Sequence, residues 1–320
     1  MRKSILAIAI AAMTFSLAAC GQKADNNDAN NNTNNEATVR TATDVSNHTV
    51  EVPVQPERVV DLSGASDTLS VLGFNVVGTC NSDAYDYTKL PTYLEETLKD
   101  ATILGYSMLD TVDVEAIIGL EPDLIVISKV QEKSYDQLSK IAPTLVVDLK
   151  QVDFKEDFLS VAKIMDREDE ANEWLAAYDE KVKEVSASMK EQLGADSTYL
   201  SFLASFGSNY VFSNSAIGSF FYDDLGLQKP ANLPAQEDMT LPVVDSEGLA
   251  QIDADYMFVV ATDEDRATLE NDKVYQNLRA VKEGHVIMLP ASPYFTQTYG
   301  PIGRVAFLDE LKEFTTTLSE

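Results

Sequence analysis

Apolar residues along this chain alternate between short unbroken runs and stretches spaced at intervals of three and four. One combination of the two occurs twice. Val112-Asp-Val-Glu115-Ala-Ile-Ile-Gly-Leu120-Glu-Pro-Asp123-Leu-Ile-Val-Ile-Ser128 is matched without a gap by Val244-Asp-Ser-Glu247-Gly-Leu-Ala-Gln-Ile252-Asp-Ala-Asp255-Tyr-Met-Phe-Val-Val260. In each copy an aspartate, Asp113 or Asp245, stands where its carboxylate can accept a free N–H of a helix's first turn. A short helix follows, then a turn at Pro122-Asp123 or Ala254-Asp255. The apolar runs Leu124–Ile127 and Tyr256–Val260 have the length and composition of strands covered on both faces. The pair predicts two α/β lobes of related build. A common helix-to-strand connection arising twice by chance would look the same on this pattern alone.

The remaining pattern extends the plan. Strands are expected at Arg58–Ser63, Val76–Thr79, Leu145–Asp148, Ser197–Ala204 and within Val281–Leu289. Helices are expected at Asp67–Leu72, Tyr93–Lys99, Tyr135–Ile141, Gly218–Leu225 and Pro301–Phe314, with Pro290–Gly300 a loop. Strands that alternate with helices imply βαβ units and mainly parallel sheets. From Phe154 to Leu193 there is neither Pro nor Gly, and Phe158, Val161, Met165, Trp174, Tyr178 and Val185 keep a helical period. One or two helices fit, and they form a stiff connector between the lobes. The expected division is a signal segment over 1–19, a linker over 20–48, an α/β lobe over 49–153, a connecting helix over 154–194 and a second lobe over 195–320.

Composition changes the picture at the N-terminus. Arg2-Lys3, the apolar run Ile5–Ala19 and the close Leu17-Ala-Ala-Cys20-Gly21 make a targeting segment, too short for a spanning helix. Its end resembles the lipobox of bacterial lipoproteins, which makes Cys20 the lipidated first residue of the mature chain. A plain signal peptide with a chance cysteine is the alternative. The Asn-rich stretch from Lys23 to about Thr43 reads as a flexible spacer. With Cys20 so used, Cys80 has no disulfide partner and reads as a small packed residue.

Charge and chemistry narrow the function. In 320 residues, 24 basic against 52 acidic side chains leave a formal charge of −28, which argues against nucleic acid or an anionic membrane surface as a direct partner. Only His48 and His285 are available as imidazole bases or ligands, and no phosphate-binding glycine motif occurs. An enzyme is not expected. The expectation is a recognition cleft at the carboxyl ends of the strands, where loops carry Tyr, Phe, Ser and Asn but few charges. The candidate ligand contacts are Ser63, Tyr85, Tyr106, Met108, Lys129 and Phe206, and further along the chain Tyr210, Arg266, Tyr294, Phe295, Tyr299 and Arg304.

From about Val50 to Phe314 the chain resembles the binding-protein family that delivers ferric siderophores, haem and cobalamin to ABC importers. The resemblance rests on Val59-Val-Asp-Leu-Ser-Gly-Ala-Ser66, on the first repeat copy, on Tyr135-Asp-Gln-Leu-Ser-Lys-Ile-Ala-Pro-Thr144 and on Asn277-Leu-Arg-Ala-Val-Lys-Glu-Gly-His-Val286. It implies a periplasmic-binding-protein fold hinged on a single long helix, with little closing motion. It also implies that Glu115 and Glu247 dock on the permease. The protein would be a monomeric extracytoplasmic lipoprotein, held at the membrane through its lipid alone, with no cofactor and a ferric siderophore as ligand.

Within the family the catecholate-siderophore branch looks nearest, but Ser128-Lys129, Asn214-Ser-Ala-Ile-Gly218 and Asp238-Met-Thr240 stand where that branch has other residues. Its metal-side tyrosine corresponds to Tyr294. With Lys129 the main cleft cation, a hydroxamate or citrate–hydroxamate complex is expected over a triply anionic tris-catecholate. Haem or cobalamin, with Met108 or a cleft tyrosine as axial ligand, is the alternative. An extracytoplasmic hydrolase would need an activated nucleophile that the chain does not offer.

Overall fold

The computed structural model describes residues 38–319. The expected signal segment, lipidation at Cys20 and most of the linker lie outside them. The first element already departs from expectation. Strand β1 (Val39–Thr43) lies within the segment expected as linker and pairs antiparallel with β2 (Thr49–Pro53). The low apolar content of Val39-Arg-Thr-Ala-Thr43 hid it. A strand that buries only Ala42 needs little hydrophobic patterning when its partner supplies the ladder.

The first lobe contains β3 (Val59–Asp61), α1 (Ser66–Val71), β4 (Val76–Thr79), β5 (Thr102–Ile103), α2 (Val114–Gly119), β6 (Leu124–Ser128), α3 (Tyr135–Leu138) and β7 (Thr144–Val147). Its sheet runs β5-β4-β3-β6-β7, all parallel. The connector follows as α4 (Phe154–Met165) and α5 (Glu168–Leu193). It is two helices, broken where Asp166 takes a left-handed conformation at φ 57°, one that Asp tolerates better than most residues.

The second lobe contains β8 (Tyr199–Ser205), β9 (Ser208–Val211), α6 (Ala216–Ser219), β10 (Val243–Val244), α7 (Ser246–Ile252), β11 (Tyr256–Ala261), α8 (Asp263–Glu270), α9 (Arg279–Glu283), β12 (Val286–Pro290), α10 (Ala291–Gln297) and α11 (Pro301–Ser319). Its sheet runs β10-β9-β8-β11-β12, parallel except that β9 is antiparallel to both of its neighbours. The expected loop Pro290–Gly300 instead contains α10.

The two repeat copies hold the same place in the two sheets. β6 lies beside β3 as β11 lies beside β8, each fourth in its strand order. Asp113 Oδ1 accepts from the Ala116 amide at 3.0 Å, and Asp245 Oδ1 from the Gly248 amide at 2.8 Å, as N-caps of α2 and α7. The turn aspartates share a second task. Asp123 accepts from the Glu57 and Arg58 amides at 2.7 and 2.9 Å, and Asp255 from the Thr198 amide at 2.7 Å. Each thus ties the end of its own helix–turn unit to the chain entering the neighbouring strand.

Alternation along the strands assigns side chains to layers. Leu124 and Val126 of β6 and Tyr256, Phe258 and Val260 of β11 belong to one continuous interior with α4, α5 and α11. Ile125 and Ile127 face a separate outer layer of the first lobe, and Met257 and Val259 that of the second. Helix α11 packs along α5 and also reaches α1, so the last helix touches both lobes.

Asp123→Ala and Asp255→Ala are each expected to lower unfolding free energy by about 1–3 kcal/mol, the range for charge-assisted bonds to backbone amides. Urea titration checks this; an unchanged midpoint in both variants would show that the two ties carry no load.

Candidate functional site

At the carboxyl end of β3 the chain turns through Leu62-Ser63-Gly64-Ala65 into α1. Asp61 sits fully buried beneath this turn. It accepts from the Ser63 amide at 3.0 Å, the Ser63 hydroxyl at 2.5 Å and the Ser66 hydroxyl at 2.6 Å. The neighbouring strand end is drawn into the same network. Asn81 accepts from the Ser66 amide at 3.1 Å and donates to the Gly64 carbonyl at 2.9 Å. Gly64 is required twice over: its φ is 93°, and a Cβ there would lie 2.8 Å from the Ser107 hydroxyl oxygen.

This network forms one wall of a cavity of about 200 Å³, open to solvent, between the two lobes. Gly64, Asp67, Asn81, Tyr93, Tyr106 and Met108 are on the first-lobe side. Phe154, Asp157 and Phe158 from α4 close it from the connector. Met239, Leu241, Phe295, Thr296 and Tyr299 come from the second lobe. Tyr93 donates to the Thr296 hydroxyl at 3.3 Å, a bond from lobe to lobe.

Burial sets the electrostatics. It pushes the Tyr106 and Tyr299 phenols up to about 12 and raises Tyr93 as well, so all three keep their protons at neutral pH and present donors. Burial also raises the carboxyls, Asp67 to about 7 and Asp157 to about 6. Asp67 accepts from the Thr68 amide at 2.8 Å, and the Ile302 amide in the first turn of α11 also bonds to it. Asp157 accepts from the Lys150 and Gln151 amides at 2.9 and 2.7 Å.

Four of the expected contacts come together here: Tyr106, Met108, Phe295 and Tyr299. Tyr85 stands next to them, edge-on to Phe295 at 6.1 Å. The others do not line the cavity, for identifiable reasons. Ser63 is occupied with Asp61. Lys129 is half-exposed and paired with Asp148 at 2.9 Å. Arg266 pairs with Glu270 at 2.7 Å along the exposed side of α8. Phe206 is 94% exposed at a hairpin tip, and Tyr210 lies in β9 against the interior. Tyr294, expected beside the metal, turns instead toward Phe307, 6.0 Å between ring centroids, and bonds Glu310. Arg304 is 2% exposed, paired with Asp224 and 4.4 Å from the Phe154 ring centroid, beneath the cavity rather than in it.

Sequence reasoning missed Asp67, Tyr93 and Asp157. Each was placed in an expected helix or left among the many acidic residues. Asp67 alone had a usable signal, since it follows the strand-end turn Ser63-Gly-Ala-Ser66. Glu115 and Glu247 are both exposed in the first turns of α2 and α7.

Comparison with known proteins agrees with this geometry. The family described as periplasmic binding protein matches residues 75–293. This chain belongs to that family. It is a binding protein and not an enzyme. It is 31% identical over 306 residues to the iron(3+)-hydroxamate-binding protein FhuD of Bacillus subtilis, covering 92% of each chain. It is 27% identical to the petrobactin-binding protein YclQ of the same organism, over 98% of this chain and 99% of that one. Among solved structures, Staphylococcus aureus SirA complexed with staphyloferrin B superposes with a TM-score of 0.70 at 26% identity, covering 87% of this chain and 98% of that one. The FhuD protein from S. pseudintermedius gives 0.72 at 22% identity, covering 89% of this chain and 100% of that one. The two mainly parallel sheets and long helices are the fold these proteins share. Among the described residues no helix is long and apolar enough to cross a membrane.

Asp67 makes stability depend on pH with a definite sign. Its carboxyl ionises near 3.8 in an unfolded chain but near 7 in the folded one, so the folded state holds the proton more tightly. The Asp67 contribution is therefore full below about 4 and is lost as pH rises through 7. The melting temperature of Asp67→Asn relative to the parent should increase from pH about 5 to about 8; a flat or falling difference contradicts the buried, neutral carboxyl.

Proposed function

We propose that this protein captures a ferric siderophore outside the cell and presents it to the permease of an ABC importer. One observation carries the reading: an interlobe cavity lined by phenols, hydroxyls, amides and aromatic rings, in a chain similar over almost its whole length to siderophore-binding proteins. Ferric complexes of this kind are bulky and rich in oxygen atoms, and protonated Tyr106 and Tyr299 can donate to those oxygens while Phe154, Phe158 and Phe295 cover the apolar backbone. Lipidation at Cys20 would keep the protein at the outer face of the membrane.

The ligand we favour is a ferric hydroxamate or citrate–hydroxamate. A tris-catecholate carries three negative charges, and holding it in a partly dry cleft requires fixed cations. Among the described residues, none of those lining the cavity is Lys, Arg or His. With Lys129 paired to Asp148 and Tyr294 turned toward Phe307, the contacts we propose are Tyr106, Tyr299 and Phe295. Quenching of tyrosine fluorescence should rank a ferric trihydroxamate at least about tenfold tighter than a ferric tris-catecholate, about 1.4 kcal/mol. Tighter binding of the tris-catecholate, or of haem or cobalamin in the same panel, would reject the assignment.

Glu115 and Glu247 are suited to docking because they project from equivalent helix starts in the two lobes, with exposed Ile118 and Val243 close by in sequence. Glu115→Ala with Glu247→Ala should leave soluble-phase affinity unchanged and cut siderophore-dependent iron uptake by roughly tenfold or more. Wild-type uptake by the double variant, or a large loss of affinity, contradicts the docking role.

A further inference from the structure

Nothing in the siderophore reading requires the cavity to carry negative charge, yet its wall holds two carboxylates. Asp67 is 3% exposed and Asp157 is 8% exposed, and both line the cavity. They come from two helices in contact with each other, Asp67 from α1 and Asp157 from the first turn of α4. Asp61, completely buried, adds to the field behind Asp67. Other titratable groups close to this pair are Tyr93, Glu156 and Lys150. Of these only Lys150 is cationic, and its ammonium is paired with Glu156.

Two of the cations expected at the cleft are also paired elsewhere. Lys129 is held by Asp148 at 2.9 Å, and Arg304, below the Phe154 ring, is held by Asp224. Backbone amides occupy part of each carboxylate: two bond Asp157, and the amides of Thr68, Asp67 itself and Ile302 bond Asp67. A carboxylate has about four acceptor positions, so Asp157 keeps the larger free capacity toward a ligand and Asp67 the smaller. The charges are also shielded from water and therefore felt across the cavity more strongly than surface charges would be.

We propose that the cleft selects ferric hydroxamate complexes bearing a free ammonium group, and that Asp67 and Asp157 are the residues that read this charge. The inference rests on the siderophore function proposed above and narrows its ligand class. An uncharged iron–trihydroxamate centre would sit among the phenols and aromatic rings. An amine-terminated arm would lie toward the carboxylates, where a charge-assisted hydrogen bond is stronger than one between neutral groups.

The test compares two ligands that differ only in this charge: the ferric complex of a linear trihydroxamate ending in a primary amine, and the same complex N-acetylated. Affinities of the full chain are measured by calorimetry at pH about 8, above the Asp67 value of about 7, so that the carboxylates are ionised. The amine form should bind about tenfold or more tighter, and Asp157→Asn and Asp67→Asn should each reduce that ratio. Two variants are used because Asp67 also bonds the first turn of α11 and its loss could disturb folding; the wild-type ligand comparison needs neither. Equal affinities, or tighter binding of the acetylated form, overturn the charge selection and leave the siderophore function standing. If neither complex binds, the hydroxamate assignment fails and the inference falls with it.

Discussion

Two five-stranded sheets, each covered on both faces, can coexist in a chain of this size because they share their middle layer. Helices α4, α5 and α11 supply it, and the inward residues of β3, β6 and β7 join those of β8 and β11 through them into one apolar interior. Into this layer the chain inserts a charge pair. Arg304 and Asp224 are both almost completely withdrawn from solvent, with Tyr178 donating to Asp224 at 2.5 Å and the Ser219 hydroxyl accepting from Arg304 at 2.9 Å. A buried pair of this kind adds little net stability, but removing one partner strands the other. Phe154 lies over the guanidinium on one side and faces the cavity on the other. The cleft's closed end and the molecule's interior are therefore one object.

The cavity follows the same economy. It uses side chains already needed for folding: the phenols are buried enough to remain protonated, and the carboxylates are held by backbone amides. Recognition would then be done by a largely prearranged surface, which lowers the ordering cost of binding. The carboxylates are the exception, since burial disfavours their charge and backbone amides only partly offset it.

How much of this was legible depended on whether the signal was local. The repeat, its N-caps and its buried strands could be read because each is written within seventeen consecutive residues. The polar interruption at Asp166–Asp169 left one or two connector helices open, and only the left-handed backbone of Asp166 decides for two. The cavity was half legible. Tyr106, Met108, Phe295 and Tyr299 stood on segments correctly expected at strand ends. Tyr294, one residue before Phe295, faces elsewhere because α10, in place of the expected loop, turns it toward Phe307. Arg304 looked like a cleft cation because nothing local reveals that Asp224, eighty residues earlier, claims it. Asp67 and Asp157 were obscured by the abundance of acidic residues around them.

The contact between Asp67 and Gly300 limits how this binding site can diverge. A side chain at position 300 would place its Cβ 1.7 Å from an Asp67 carboxylate oxygen. A side chain at position 300 therefore requires the Asp67 carboxylate, far away in sequence, to move or be replaced. Met108, Met239, Leu241 and Phe295 carry no such mutual constraint, and methionine adapts readily to altered neighbours. Descendants of this chain would exchange ligands mainly through that adaptable side of the cleft. The Asp67–Gly300 side is the less adaptable one, because the glycine leaves just the room that the carboxylate fills.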